Sequence, residues 1–163
     1  RRREHHGAWR TGLVVVVVTN QSGIARRLIS WDEHHAVTRR IEPLLEETGT
    51  AVDATYVCPH YPDLTGPCDC RKPGLAHYRA AAATFGIDLA RSLYVGDRPS
   101  DVVPAQALGG TGILVATGEA GRRPGEGHHA GFEVVADLAT AVSRFFELTA
   151  RRQTQDRPDG GVV

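Results

Sequence analysis

The chain contains no methionine, and of its 19 basic residues only Lys72 is a lysine. GC-rich coding accounts for most of the arginine bias. Against that background a lone lysine marks a place that needs a compact ammonium rather than a planar fork. A sequence without methionine that opens Arg1-Arg2-Arg3 reads as a fragment, a processed chain or a wrongly placed start. Net charge is also missing: 19 basic and 19 acidic residues cancel. That balance argues against a nucleic-acid partner held by charge, while a locally basic site for a small anion remains open. Long apolar runs are absent too. Leu13–Val18 is far short of a membrane span, and no signal peptide is visible.

What is present fits one domain of 163 residues, 41% of them apolar. Residues 1–11 are a polar, basic lead-in, residues 12–150 the folded domain, and residues 151–163 a disordered tail. Leu13–Val18 predicts a central parallel strand, apolar on both faces. Ser30 and Glu33 have capping-box spacing before a helix over Trp31–Thr48 that Gly49 stops. Further strands are expected at Ala54–Val57, Ser92–Val95 and Gly112–Ala116, with an edge strand at Glu133–Val135. Helices are expected at Leu75–Phe85, Asp101–Leu108 and Leu138–Thr149, and a loop at 118–131. This alternation predicts βαβ units and a parallel sheet, whose chemistry sits at the carboxyl ends of the strands.

Only three cysteines occur, all within Cys58-Pro-His60 and Cys68-Asp-Cys70. An odd, clustered set looks more like metal ligation in a reducing, cytoplasmic compartment than a disulfide framework. Three thiolates and an imidazole suit tetrahedral zinc, and a site filled by protein is structural. Buried free thiols, or a disulfide with one cysteine left over, are the competing readings. The segment Tyr61–Pro67 between the two pairs has little helix or strand tendency of its own.

Arg71 and Lys72 follow the last cysteine directly, so an ordered loop would deliver two cations to one place, as phosphoryl transfer requires. A solvated basic pair is the plain alternative. Thr19, Asn20, Gln21 and Ser22 end the first strand and offer hydroxyl, amide and backbone donors to a phosphate, though these residues also populate ordinary turns. Asp97 and Asp101, with Arg98 between them, end another strand. Two carboxylates four apart there suit magnesium, and Asp101 equally suits a helix N-cap.

Taken together, residues 17–26, 58–62, 68–73 and 94–101 resemble the haloacid dehalogenase superfamily of aspartate-nucleophile phosphatases. The nearest likeness is to the heptose 1,7-bisphosphate phosphatase and histidinol-phosphatase group, over about residues 10–145. The resemblance implies a Rossmann-like three-layer α/β fold with a parallel sheet, a minimal cap and a zinc-binding loop. It implies magnesium-dependent hydrolysis of a small phosphorylated sugar through an aspartyl-phosphate, by a monomer without nucleic-acid or membrane partners. Thr19 would bind the transferring phosphoryl group, with Asn20, Gln21 and Ser22 near it, and Lys72 would stabilise its charge. Arg71 and Arg98 would meet substrate. Asp97 would bind magnesium, and Asp101 would support Lys72 or the metal shell.

Three departures stand out. The family's first motif, Asp-x-Asp-Gly-Thr, has no counterpart ahead of Leu13, since no Asp precedes Asp32. Arg71-Lys72-Pro73 runs straight into Gly74-Leu75, where the family often has two more residues. Arg98 stands where lysine is usual. The first departure removes a central strand between those at 13–18 and 92–95. The 163 residues alone are therefore expected to be poorly stable and inactive. Histidinol phosphate as substrate, and a non-catalytic zinc-bearing binding domain, are the alternative readings.

Overall fold

A computed structural model of the chain describes residues 12–118 and 131–155. These fall into two compact units, one ending at Ile87 and the other beginning at Asp88.

The first unit runs β1 (Val16–Asn20), α1 (Ser22–Ala25), α2 (Trp31–Glu46), β2 (Ala54–Cys58), α3 (Pro62–Thr65) and α4 (Ala76–Phe85). β1 and β2 pair in parallel, from Val16 opposite Ala54 to Asn20 opposite Cys58. Both strands therefore end together, and the Gln21 N–H donates to the Cys58 carbonyl at 2.7 Å. The strand starts three residues later than the apolar run and extends through Thr19 and Asn20, because pairing with β2 rather than apolar character sets its length. Nor is it buried on both faces. Leu13, Val15 and Val17 are 43%, 37% and 40% exposed, while the residues between them are partly buried. This is the period-2 pattern of a strand covered on one side, and β2 is its only strand neighbour among the described residues.

Helix α2 begins as expected. The Ser30 hydroxyl accepts from the Glu33 N–H, and the Glu33 carboxylate accepts from the Ser30 N–H at 2.7 Å. Those bonds hold the Glu33 carboxyl below its ordinary range. The helix ends at Glu46, and Gly49 turns the chain in the left-handed region. Two one-turn helices, α1 and α3, were not expected. Within Tyr61–Pro67, Pro62 takes the first helical position and Gly66 closes the turn, so part of that segment is helical after all.

The second unit runs β3 (Leu93–Gly96), α5 (Pro99–Leu108), β4 (Thr111–Val115), β5 (Glu133–Val135) and α6 (Leu138–Gln155), after a 3₁₀ turn at Leu89–Arg91. Its sheet has the order β3-β4-β5, all parallel. Ile113, Val115 and Ala141 form its core with Leu93, Val95 and Val135 around them. Helix α5 starts at Pro99, two residues before the expected Asp101, because proline's fixed φ suits a first helical position. Helix α6 continues to Gln155, past Thr149 and into the stretch expected to be a disordered tail. Residues 150–155 hold no glycine or proline, and the Ala-Arg-Arg run favours helix. The lead-in 1–11, positions 119–130 of the expected loop and the tail from 156 lie outside the described residues. No described helix is long and apolar enough to cross a membrane.

Replacing Ser30 by Ala removes a cap acceptor and is expected to cost about 1 kcal/mol of stability. Glu33 has a lowered pKa, so its share of the capping box is present above pH 4.5 and is lost as the pH falls further. Urea unfolding of wild type and variant at pH 7 and pH 3.5 checks both statements: the gap between them should be clear at pH 7 and shrink at pH 3.5.

Candidate functional site

In the first unit, the parallel register places Thr19 and Asn20 at the carboxyl end of β1, where the next elements can reach them. Asn20 uses both ends of its amide on one residue. Its Oδ1 accepts the Lys72 backbone N–H at 2.9 Å and its Nδ2 donates to the Lys72 carbonyl at 3.3 Å. The lysine side chain then turns back to the strand, and its Nζ donates to the Val18 carbonyl at 2.6 Å. This puts the ammonium at the peptide that joins Val18 to Thr19. Gln21 Nε2 donates to Thr19 Oγ1 at 3.1 Å, so the hydroxyl oxygen accepts from Gln21 and its proton can be given to an anion. Ser22 opens α1 just beyond.

The turn after the cysteines is tight. Gly74 N–H donates to the Arg71 carbonyl at 2.7 Å. A Cβ at Gly74 would run into the Asp69 and Arg71 carbonyls, so no other residue fits there without shifting the backbone. Lys72 precedes Pro73 through a cis peptide bond.

Cys58, His60, Cys68 and Cys70 converge, with one ligand atom from each all lying within 4.8 Å of one another. Cys58 Sγ lies 3.7 Å from Cys68 Sγ and 3.2 Å from Cys70 Sγ, and His60 Nδ1 lies 3.2 Å from Cys70 Sγ. Four sulfur or nitrogen ligands about 2.3 Å from a tetrahedral ion stand about 3.7 Å apart, so the cluster is close to the right size. No pair is joined as a disulfide; all three thiols are free. Burial pushes the Cys70 thiol up to about 12, and the neighbouring Cys58 and Cys68 sulfurs add to the rise. Cys68 goes the other way. Burial raises it, but hydrogen bonds from Cys70, the Arg71 backbone and Cys58 outweigh that and lower it. Backbone N–H groups aimed at one sulfur favour its thiolate, the form that binds a cation. Arg71 Nη1 donates to the His60 carbonyl at 3.2 Å, which ties the guanidinium to the same loop.

In the second unit, β3 ends at Gly96 and delivers Asp97, with Arg98 at the start of α5 and Asp101 in its first turn. Asp101 is not the N-cap. It occupies the third helical position, and its Oδ2 accepts the Arg98 N–H at 3.0 Å. Two glycines make room for these carboxylates. A Cβ at Gly96 would strike the Asp101 carboxylate, and one at Gly118, just past β4, would strike that of Asp97. The sequence alone marks Gly118 only as the start of the loop expected at 118–131. A glycine just beyond a buried strand was the available signal. A carboxylate seated against bare backbone at a strand end suits magnesium, which takes one or two carboxylates and completes its shell with water and substrate oxygens. The expected site residues are thus gathered as two groups: 19–22, 58–60 and 68–72 in one unit, and 97–101 in the other.

A hydrolase-like family model of the haloacid dehalogenase (HAD) type matches residues 69–141. The D-glycero-beta-D-manno-heptose-1,7-bisphosphate 7-phosphatase of Pseudomonas aeruginosa is 36% identical over 136 residues, 83% of this chain and 75% of that protein. The chain belongs to the HAD superfamily. The phosphatase of the same name from Haemophilus ducreyi is 40% identical over 121 residues, 71% of this chain and 66% of its own length. The HAD chain thus spans 66% of the length of curated relatives such as this one. Among solved structures, the D,D-heptose 1,7-bisphosphate phosphatase of B. bronchiseptica, complexed with magnesium and phosphate, superposes with a TM-score of 0.72 at 37% identity. That match covers 82% of this chain and 75% of the other. A putative HAD-like phosphatase from Mesorhizobium loti gives 0.67 at 35% identity, covering 92% and 70%. The expected HAD-like α/β fold with parallel sheets is therefore established for this chain.

Cobalt(II) titration tests the four-ligand cluster, because tetrahedral thiolate coordination gives intense visible bands. One equivalent should be taken up. Cys70 is protonated near neutral pH, so the ion must displace protons and its affinity should rise from pH 6 to pH 8. Cys70→Ser should weaken binding by at least about tenfold.

Proposed function

We propose that these residues serve a magnesium-dependent phosphatase that removes one phosphate from a heptose 1,7-bisphosphate through an aspartyl-phosphate. The observation that carries this reading is the Lys72 ammonium, held at the end of β1 by the Val18 carbonyl while Asn20 fixes the lysine backbone. It is supported by the printed activity of the relatives, at 36% to 40% identity.

Each residue then has a task. Thr19 donates its hydroxyl proton to a nonbridging oxygen of the phosphoryl group. Lys72 places a positive charge where negative charge gathers in the transition state, at no cost in reorganisation because it is already fixed. Asn20 positions Lys72, and Gln21 orients the Thr19 hydroxyl. Arg71 and Arg98 contact substrate. Asp97 would hold magnesium, with Asp101 supporting its shell. The ion, when bound, screens the phosphate's charge from the attacking carboxylate. Zinc occupies the Cys58, His60, Cys68 and Cys70 cluster as a structural ion, since all four positions are filled by protein. The setting is the reducing cytoplasm, where three thiols stay available, and the working form is a monomer.

The attacking carboxylate that the resemblance implies has no counterpart ahead of Thr19 in these residues, as the first Asp is Asp32. A second reading is a non-catalytic zinc-bearing domain that binds phosphate esters without turning them over. The two are separated by phosphate release from heptose 1,7-bisphosphate and from histidinol phosphate, measured with magnesium on the protein at its natural length. The first reading expects turnover of the heptose ester, with Lys72→Ala reducing kcat by about 10²- to 10³-fold. Binding without turnover supports the second reading.

A further inference from the structure

Val57 immediately precedes the first cysteine of the four-ligand cluster, and its carbonyl has no strand to bond. Along a strand, successive carbonyls point to opposite edges. The Cys58 carbonyl points to β1, where it accepts the Gln21 N–H at 2.7 Å. The Val57 carbonyl therefore points to the far edge of β2, where no strand follows among the described residues. His77, in the first turn of α4, fills that place. Its imidazole donates a hydrogen bond to the Val57 carbonyl, and its ring centroid lies 5.6 Å from that of Tyr56.

Nε2 of His77 is buried and has no hydrogen-bond partner among the described residues, so the nitrogen turned to Val57 is Nδ1. Burial holds the imidazole below its ordinary range, the Val57 carbonyl pulls the other way, and the nearby His60 adds to the lowering. The ring is therefore neutral at pH 7, with its proton on Nδ1 and a bare lone pair on Nε2. A buried nitrogen without a partner costs stability, so a side chain kept only to fill space would do better without it. What the imidazole adds here is the donor on Nδ1.

The preceding residue holds the other arm of the cysteine loop. Ala76 N–H donates at 3.1 Å to the carbonyl of Asp69, which lies between Cys68 and Cys70. Consecutive residues of one helix thus grip the backbone on both sides of the cluster. Val57 also stands opposite Thr19 in the β1–β2 register, so the same grip bears on the strand end.

We propose that His77 is a positioning residue for the metal cluster: its Nδ1–H clamps the Val57 carbonyl and so fixes the peptide that presents Cys58 to the ion. This rests on the reading of Cys58, His60, Cys68 and Cys70 as a zinc site. Partners of this kind, one step removed from the ligands, set metal affinity by holding the ligands in place.

Two measurements on the protein at its natural length test this: zinc affinity by competition with a chromophoric chelator, and the visible spectrum of the cobalt(II) form. Asn carries a donor near the place of Nδ1, Gln carries one farther out near Nε2, and Phe keeps only the ring. His77→Phe and His77→Gln are expected to weaken zinc binding by about 10- to 100-fold and to alter the cobalt bands. His77→Asn is expected to restore most of the affinity and the wild-type bands. Wild-type affinity in His77→Phe overturns the clamp. Equal weakening in all three variants also overturns it, and assigns His77 to packing. Should His77→Phe fail to fold, the Asn and Gln variants decide, and equal affinity of these two overturns the clamp. Failure of the wild type to take up zinc overturns the zinc reading together with the clamp that rests on it.

Discussion

Asn20 and Lys72 stand 52 positions apart in sequence and are joined by two hydrogen bonds through a single side-chain amide. The asparagine acts as a short extra piece of strand, offering one acceptor and one donor where a neighbouring backbone would. Lysine carries four rotatable carbons and a strongly hydrated charge, so an unconstrained ammonium at this place would spread over many positions. With its backbone pinned to the end of β1, the side chain needs to reach only the Val18 carbonyl, at 2.6 Å. Electrostatic help to a reacting phosphate depends on charge that is already in place. The rest of the first unit serves that placement. The β1–β2 register aligns the two strand ends, Gly74 permits the sharp turn, and the four-ligand cluster fixes the loop that leads to Lys72.

The second unit solves a related problem with bare backbone. A carboxylate that must meet a small, hard cation has to sit near a strand end without side chains crowding it. Gly96, on β3, leaves that space for Asp101, and Gly118, just beyond β4, leaves it for Asp97. Asp101 also takes the Arg98 N–H, so one group caps the helix and lies against Gly96 at once. Val102, Pro104 and Ala105 of that helix are buried, which anchors it.

The parts of this arrangement that were legible in the sequence are those that local chemistry decides. Ser30 and Glu33 specify a capping box by spacing alone. Gly86 and Gly109 end helices because each takes a left-handed conformation. The cysteines and His60 are recognisable because few other roles need three sulfurs and an imidazole so close together. What the sequence did not disclose depends on contacts between distant segments. A valine run does not reveal which of its faces is covered, and the alternating exposure from Leu13 to Val18 becomes evident only with the neighbours in place. The pairing of the Asn20 amide with the Lys72 backbone is hidden for the same reason, since it joins segments 52 positions apart. Four-residue helices such as α1 and α3 have too little periodicity to announce themselves.

Cys70 and Arg71 are adjacent, and Arg71 also bonds the carbonyl of His60, so the proposed metal ligands and the proposed anion-binding groups share one stretch of backbone. Two ligands that order the same segment are thermodynamically coupled, and the coupling runs equally in both directions. If the ion prepares the loop for phosphate, then phosphate must tighten the hold on the ion by the same factor. The occupied enzyme would then surrender its metal last, so an abundant substrate would protect the loop during metal scarcity, while idle molecules would be the first to lose it.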